Sequence, residues 1–336
     1  RARNADTGEM YSRVTDTIHS GVSERYSLIL DGGAGGINKQ PGDYLYHNGI
    51  ARRFRQGAWG IMRVLPKGSP GLQALPTYNK PAGTYVQPAV TGGRPPVTTN
   101  PGNPCPAGST SKSIAISAVD VPNSVQGTPG SGGTSTSVSG SITAAYVLTS
   151  NAATAKAKGV TEPLVVHVNV GDCLTVNFTN RRANARASLS VGELSKAGGS
   201  SGVNVGFDPE QTVLPGKRQT YKFYAESESI EAAQFSDFGG DATGRIGLYG
   251  AFVVHAKGTW LTSPTTGLRT MTGAIVDAHV PGKPGYRDDT LFLQDTDPQI
   301  GSDFMPYPLK VDGLTLVNYK NAGRRTDDFS GTVATP

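Results

Sequence analysis

Residues 163–180 read PLVVHVNVGDCLTVNFTN. Apolar and β-branched residues recur at alternate positions on both sides of Gly171-Asp172, which is what two pleated, half-buried strands meeting at a turn require. The same alternation recurs outward from this stretch, at 113–119 (SIAISAV), 144–150 (AAYVLTS), 218–226 (RQTYKFYAE) and 247–256 (GLYGAFVVHA), with turn residues between. Many short strands at this spacing predict a β-sandwich. Its core is expected to draw on Leu164, Val166, Val168, Leu174, Val176, Phe223, Leu248 and Phe252. Helix signals are confined to 150–159 and 226–233.

Composition agrees. The chain has 336 residues, too many for one core, and its 44 Gly and 23 Pro suit a protein of strands and turns. No apolar run is long enough to predict a membrane span. The first residues, RARNADTGEM, lack a basic-then-apolar start, so a signal peptide has been removed or the numbering begins inside a longer precursor. The net charge of +5 is spread along the chain. Only 52–55 (RRFR) and 180–182 (NRR) are dense, as solvated loops are, and no nucleic-acid motif accompanies them. The two cysteines, Cys105 and Cys173, cannot make a zinc site unaided. In an oxidising compartment they can form one disulfide, and the sequence leaves open whether they lie close enough.

The chain divides into four pieces. Residues 1–66 contain a strand-like YSLIL (26–30), a glycine-rich loop (31–36) and a strand-bearing segment at 42–64. Residues 67–112 carry a proline every few positions, which forbids helix and central strand, and are expected to be an extended linker. Residues 113–265 form the sandwich, with a Gly/Ser-rich loop at 128–140, and 266–336 form a tail.

The segment 42–64, GDYLYHNGIARRFRQGAWGIMRV, resembles the copper-binding closing strand of multicopper oxidases, in their bacterial manganese-oxidase-like branch. Residues 168–177, the turn Pro215-Gly216-Lys217 and residues 247–254 are similar to that family's strand–Gly-Asp–strand hairpin, return turn and closing strand. The resemblance implies an all-β fold of cupredoxin-like Greek-key β-sandwich domains joined by the Pro-rich linker. It also implies that the copper sites are degenerate. His47 holds the first ligand slot, but the Cys slot is Asn48, the second His slot Gly49, the distal His slot Arg53 and the axial slot Ala58. Type 1 copper needs a thiolate and two imidazoles. The slots for the trinuclear cluster fall at Ser188 to Val191, Ser190 among them, and at Phe235 to Asp237, and the chain's 5 His are too few for such a cluster. His167 and His255 lie within strands, and His19 and His279 lie in segments with no ligand spacing.

His47 is expected to be hydrogen-bonded in the sandwich interior, the alternative being a relic metal ligand helped by His19 or Asp43 or by a neighbouring subunit. Arg53 is expected to fill the emptied site. Asp295, Asp297 and Asp303 lack EF-hand spacing and are expected to be surface carboxylates. Asn177-Phe178-Thr179 is a formal glycosylation acceptor within a strand.

In the same comparison, 1–66 looks like the closing half of a cupredoxin domain and 266–336 like the opening half of one. Half sandwiches leave edges unpaired. The two ends therefore complete each other within one chain, or between successive chains, or belong to a longer polypeptide. The expected function is that of a secreted, cell-surface or periplasmic protein without copper or another cofactor. It would serve a structural or interaction role by self-association or with related cupredoxin subunits, in a repeating assembly such as a filament. The alternative is part of a larger metal-oxidising enzyme, acting for instance on Mn(II), with copper held by ligands from other chains or segments.

Overall fold

The computed structural model describes residues 18, 21, 23–25, 30, 33, 35, 40–49, 53–54, 56–66, 102–122, 142–240, 246–295 and 315–319. The YSLIL segment apart from Leu30, residues 67–101 of the linker, the loop at 128–140, His19, Asp297 and Asp303 lie outside them.

Strands β1 (Gly42–His47) and β2 (Trp59–Val64) come first, then β3 (Thr110–Asp120) and β4 (Ala144–Leu148). A short helix α1 (Ala152–Lys158) leads to β5 (Leu164–Asn169) and β6 (Asp172–Asn180). The two-residue strands β7 (Ser190–Val191) and β8 (Ser195–Lys196) precede β9 (Arg218–Tyr224), β10 (Ala232–Ser236) and β11 (Tyr249–His255). The chain goes on through β12 (Trp260–Thr262), β13 (Ile275–His279), β14 (Tyr286–Asp289), β15 (Leu293–Asp295) and β16 (Thr315–Val317).

A five-stranded sheet, β4-β3-β6-β9-β8, faces a four-stranded one, β5-β11-β10-β7. Each contains a parallel pair, β3 with β6 and β5 with β11, so the sandwich is of the mixed, cupredoxin-like kind. The alternate residues of both sheets meet between them. Val166, Val168, Leu174, Val176, Phe223, Leu248 and Phe252 are buried in one cluster, and Leu164 packs against its margin.

Gly171-Asp172 does not close a hairpin. β5 and β6 lie in different sheets, and the chain crosses between them with Gly171 at φ +91° and the Asp172 carboxylate accepting the Asn169 N–H at 2.8 Å. Crossing over lets both strands turn their apolar side inward, whereas a hairpin would keep them in one layer. The helix expected at 226–233 is also corrected. Only a 3-10 turn, Glu228–Ile230, forms, and β10 follows at once, because Ala233 and Phe235 at period two bury on the sandwich while Gln234 faces out.

The linker boundary moves as well, since Thr110 already pairs with Asp172 at the start of β3. Cys105 and Cys173 are joined in a disulfide with their Cα atoms 5.6 Å apart, which fastens the residues before β3 to β6.

Beyond β11 the chain folds back over the outer face of the four-stranded sheet. β12, β13 and β14 form a sheet that crosses the boundary expected at 265. The segment between β12 and β13 runs along the free edge of β5. There the His167 N–H donates to Met271 O at 2.8 Å and the Gly273 N–H to Val165 O at 3.2 Å, so the edge is covered. β15 and β16 pair as a ribbon. One side of it is anchored by Phe292 and Tyr319 against Tyr249, and the other leaves Leu291 69% and Leu293 78% exposed.

The β1–β2 hairpin docks on the loop before β9 through Asp43. Its buried carboxylate accepts from Arg63 Nε at 2.7 Å, Arg63 Nη2 at 2.8 Å and the Phe207 N–H at 2.8 Å, while Asp208 accepts the Asp43 N–H at 2.8 Å. Gly206, at φ +49°, lies against that carboxylate where no Cβ fits. Arg63 hydrogen bonds hold the Asp43 carboxyl below its ordinary value. This contribution to docking is therefore complete above the unfolded-state value of about 3.9 and is lost as pH falls through the lower folded value. Asp43→Ala is expected to weaken docking by about 2–3 kcal/mol. Amide exchange should then quicken across 42–47 and 59–64 with the sandwich unaffected, and unchanged hairpin protection would show that the contact contributes little.

Candidate functional site

The two segments expected to hold the trinuclear ligands do converge. Antiparallel pairing of β7 with β10 sets Ser190 opposite Ser236 and Val191 opposite Phe235. What meets there is a hydrogen-bonded lattice backed by aromatic rings. Asp237 Oδ1 accepts from the Ser188 N–H at 2.6 Å and the Gly239 N–H at 2.9 Å, and Ser188 Oγ accepts the Phe238 N–H at 2.9 Å. The Tyr146 hydroxyl donates to Ser188 O at 2.6 Å. Behind this lattice Phe235 is wholly buried, and Ser190 is half-buried beside it.

Phe235 belongs to a closed circuit of ring contacts drawn from both sheets. Its centroid lies 5.3 Å from Tyr146 and 5.0 Å from Phe252, and the circuit closes through Phe223, Tyr221 and Phe178. The tilted and edge-on geometries are those aromatic pairs favour. Burial pushes the Tyr146 and Tyr221 hydroxyls well above their ordinary values, so both remain protonated donors. Tyr221 donates to Gln211 O at 2.6 Å.

The other expected site lies at the far end of the β1–β2 hairpin, on the surface. His47 is exposed rather than interior. It sits opposite Trp59, makes an edge contact with Phe54 at 5.0 Å, and donates from Nδ1 to Asn48 O at 2.9 Å. Asn48 N–H donates to Ala58 O at 2.9 Å and Ala58 N–H to Arg53 O at 3.0 Å, which closes the turn. Gly49, Arg53 and Ala58 are exposed. Arg53 therefore fills no emptied site, because a two-stranded hairpin end has no interior to fill. Asp43 is engaged by Arg63 near the opposite end of β1. Among the described residues, a single exposed imidazole beside Asn, Gly, Arg and Ala does not fit copper, which needs soft and imidazole donors converging. Among the described residues no three His, Cys, Asp or Glu side chains gather where a metal ion could sit.

The structure brings together two residues that strand-by-strand reading sets aside. His167 on β5 and His255 on β11 are each only 3% exposed, and their rings meet with His167 Nδ1 2.8 Å from His255 Nε2. His167 Nε2 lies 2.8 Å from Gly273 O, and His255 Nδ1 lies 3.2 Å from the Tyr286 hydroxyl and 3.9 Å from an Asp288 carboxylate oxygen. A signal for them was present. The runs LVVHVN and YGAFVVH are apolar on both alternations, as strands covered on both faces are, so the histidines flanking core positions had to be buried on the second face.

No helix among the described residues is long and apolar enough to cross a membrane. No family model and no curated protein matches the sequence. Among solved structures the chain is similar to a multicopper oxidase, 20% identical over 46% of this chain and 45% of that one, with a TM-score of 0.33. It is similar also to a blue copper oxidase from Nitrosomonas europaea, 16% identical over 62% and 54% with a TM-score of 0.37. A third is a multi-copper oxidase from Pseudomonas thermotolerans, 14% identical over 63% and 42% with a TM-score of 0.33. The chain thus spans about half the length of the structures it matches.

Proposed function

We propose that this chain is an extracytoplasmic β-sandwich module that does no copper chemistry and serves as a structural or interaction subunit, assembling with copies of itself or with related sandwiches. The observation that carries this reading is the content of the β7–β10 junction. A wholly buried phenylalanine and a Ser–Asp hydrogen-bond lattice stand where a metal centre would need imidazoles. Packing of this kind is directed at rigidity, since each ring is held by two others and the lattice fixes the backbone between β7 and β10. The Cys105–Cys173 disulfide supports a location in an oxidising compartment. The exposed Leu291 and Leu293 on the β15–β16 ribbon support a surface meant for a partner.

Purified protein exposed to excess Cu(II) and then desalted is expected to retain far less than one copper per chain by elemental analysis and to show no blue thiolate absorption. Stoichiometric copper would overturn the reading and favour an oxidase component. Light scattering on the same sample addresses assembly. A mass that stays at that of a single chain over a wide concentration range would remove self-association and leave related subunits as the partners to seek.

A further inference from the structure

The His167–His255 pair sits at a seam. Inside it is the four-stranded sheet of the sandwich, and outside it is the strap formed by residues 270–290. The strap is held by the two backbone bonds along the β5 edge, by Ala274 packed on Val165 and Val253, and by the two imidazoles. Their hydrogen bonds fix every proton. Gly273 O can only accept, so His167 Nε2 carries a hydrogen and His167 Nδ1, in the neutral ring, is bare. His255 Nε2 must then donate to it, which leaves His255 Nδ1 bare, and the Tyr286 hydroxyl donates there.

The arrangement suits two neutral rings. A proton arriving at His255 Nδ1 makes the Tyr286 hydroxyl turn round, with the Asp288 carboxylate at 3.9 Å partly offsetting the charge. With one proton already on His255, a second on His167 can enter only at Nδ1, where it meets the His255 N–H head-on and abolishes the ring-to-ring bond. We propose that His167 and His255 form an acid-operated latch, whose protonation frees the strap of residues 270–290 from the outer face of the sheet and bares the edge of β5.

Burial holds both imidazoles below their ordinary value, His255 at about 4, with the neighbouring His167 adding to the effect and Asp288 opposing it. Because the released strap returns both rings to about 6.5, the open state binds more protons between that value and about 4. Docking is therefore strongest above the ordinary imidazole value, weakens as pH falls below it, and stops changing below the folded value. Protons have a route in. His255, Tyr286, Asp288, Asp289, Glu228, Glu231 and Lys283 border an open cleft of about 780 Å³. His167 borders a second, of about 280 Å³, with Lys112, Asp172 and Arg269. The backbone bonds from His167 and Gly273 report release directly.

Hydrogen exchange on the whole protein at about pH 7 and about pH 5, corrected for intrinsic rates, is expected to show at least about tenfold less protection of the His167 and Gly273 amides at the lower pH, with the Val176 amide in β6 unchanged. In His167→Gln, whose amide can still bond both ways but does not titrate there, the difference should shrink. Equal protection at both pH values, an equal drop in the variant, or loss at Val176 in step with the strap would overturn the latch. A titration of the imidazole C–H resonances in the unaltered protein decides independently of how the variant folds. Both rings should titrate below their ordinary value, and a midpoint at or above it in either ring contradicts the proposal.

Discussion

Phe252→Ala is expected to destabilise the sandwich by about 3–5 kcal/mol in urea or thermal unfolding. Phe252 is wholly buried at the centre of β11 and touches Phe235 from its own sheet at 5.0 Å and Phe223 from the facing sheet at 6.0 Å. Truncation removes its transfer free energy and leaves a cavity, and it also breaks the aromatic circuit at one of the points where that circuit passes between sheets. The neighbours are poorly placed to collapse into the gap, because Phe223 and Phe235 are each held by a second ring, Tyr221 at 6.5 Å and Tyr146 at 5.3 Å. Phe252→Leu, which keeps most of the volume, should cost less than half as much. A loss below about 1 kcal/mol for the alanine variant would be that of a surface position and would mean the β10–β11 register is misassigned.

Replacing Cys105 and Cys173 by serine is expected to cost about 4 kcal/mol. The disulfide closes a separation of 68 residues, and in the chain-entropy account most of its effect comes from restricting the unfolded chain. The closed segment includes all of β3, β4 and β5, and the disulfide holds the parallel pairing of β3 with β6, a long-range contact, near its register from Thr110 opposite Asp172. The variant should therefore unfold at lower denaturant and also refold more slowly, since a parallel pairing of distant strands must now be found unaided. Equal stability of the variant and of the reduced and oxidised wild-type protein would contradict this account.

The strands were legible because their chemistry is local. An alternation of β-branched and apolar residues such as that at 164–169 or 172–180 has one low-energy reading, and the inward positions Val166, Val168, Leu174 and Val176 follow from it by parity. The unsuitability of residues 47–58 for copper could likewise be read from residue type, since no fold makes Asn48, Gly49 or Ala58 into a thiolate or an imidazole. What local chemistry could not carry was which sheet each strand joins. Gly171-Asp172 serves equally for a hairpin and for a crossing between layers, and the choice went to the crossing because it buries an apolar face of both strands. The same limit hid β10 behind a weak helix signal, placed His47 outside, and concealed the seam on which His167 and His255 meet. Their separation of 88 residues is spanned only by the parallel pairing of β5 with β11, and no spacing in the sequence records a contact that the sandwich creates by bringing those strands side by side and laying residues 270–290 across them.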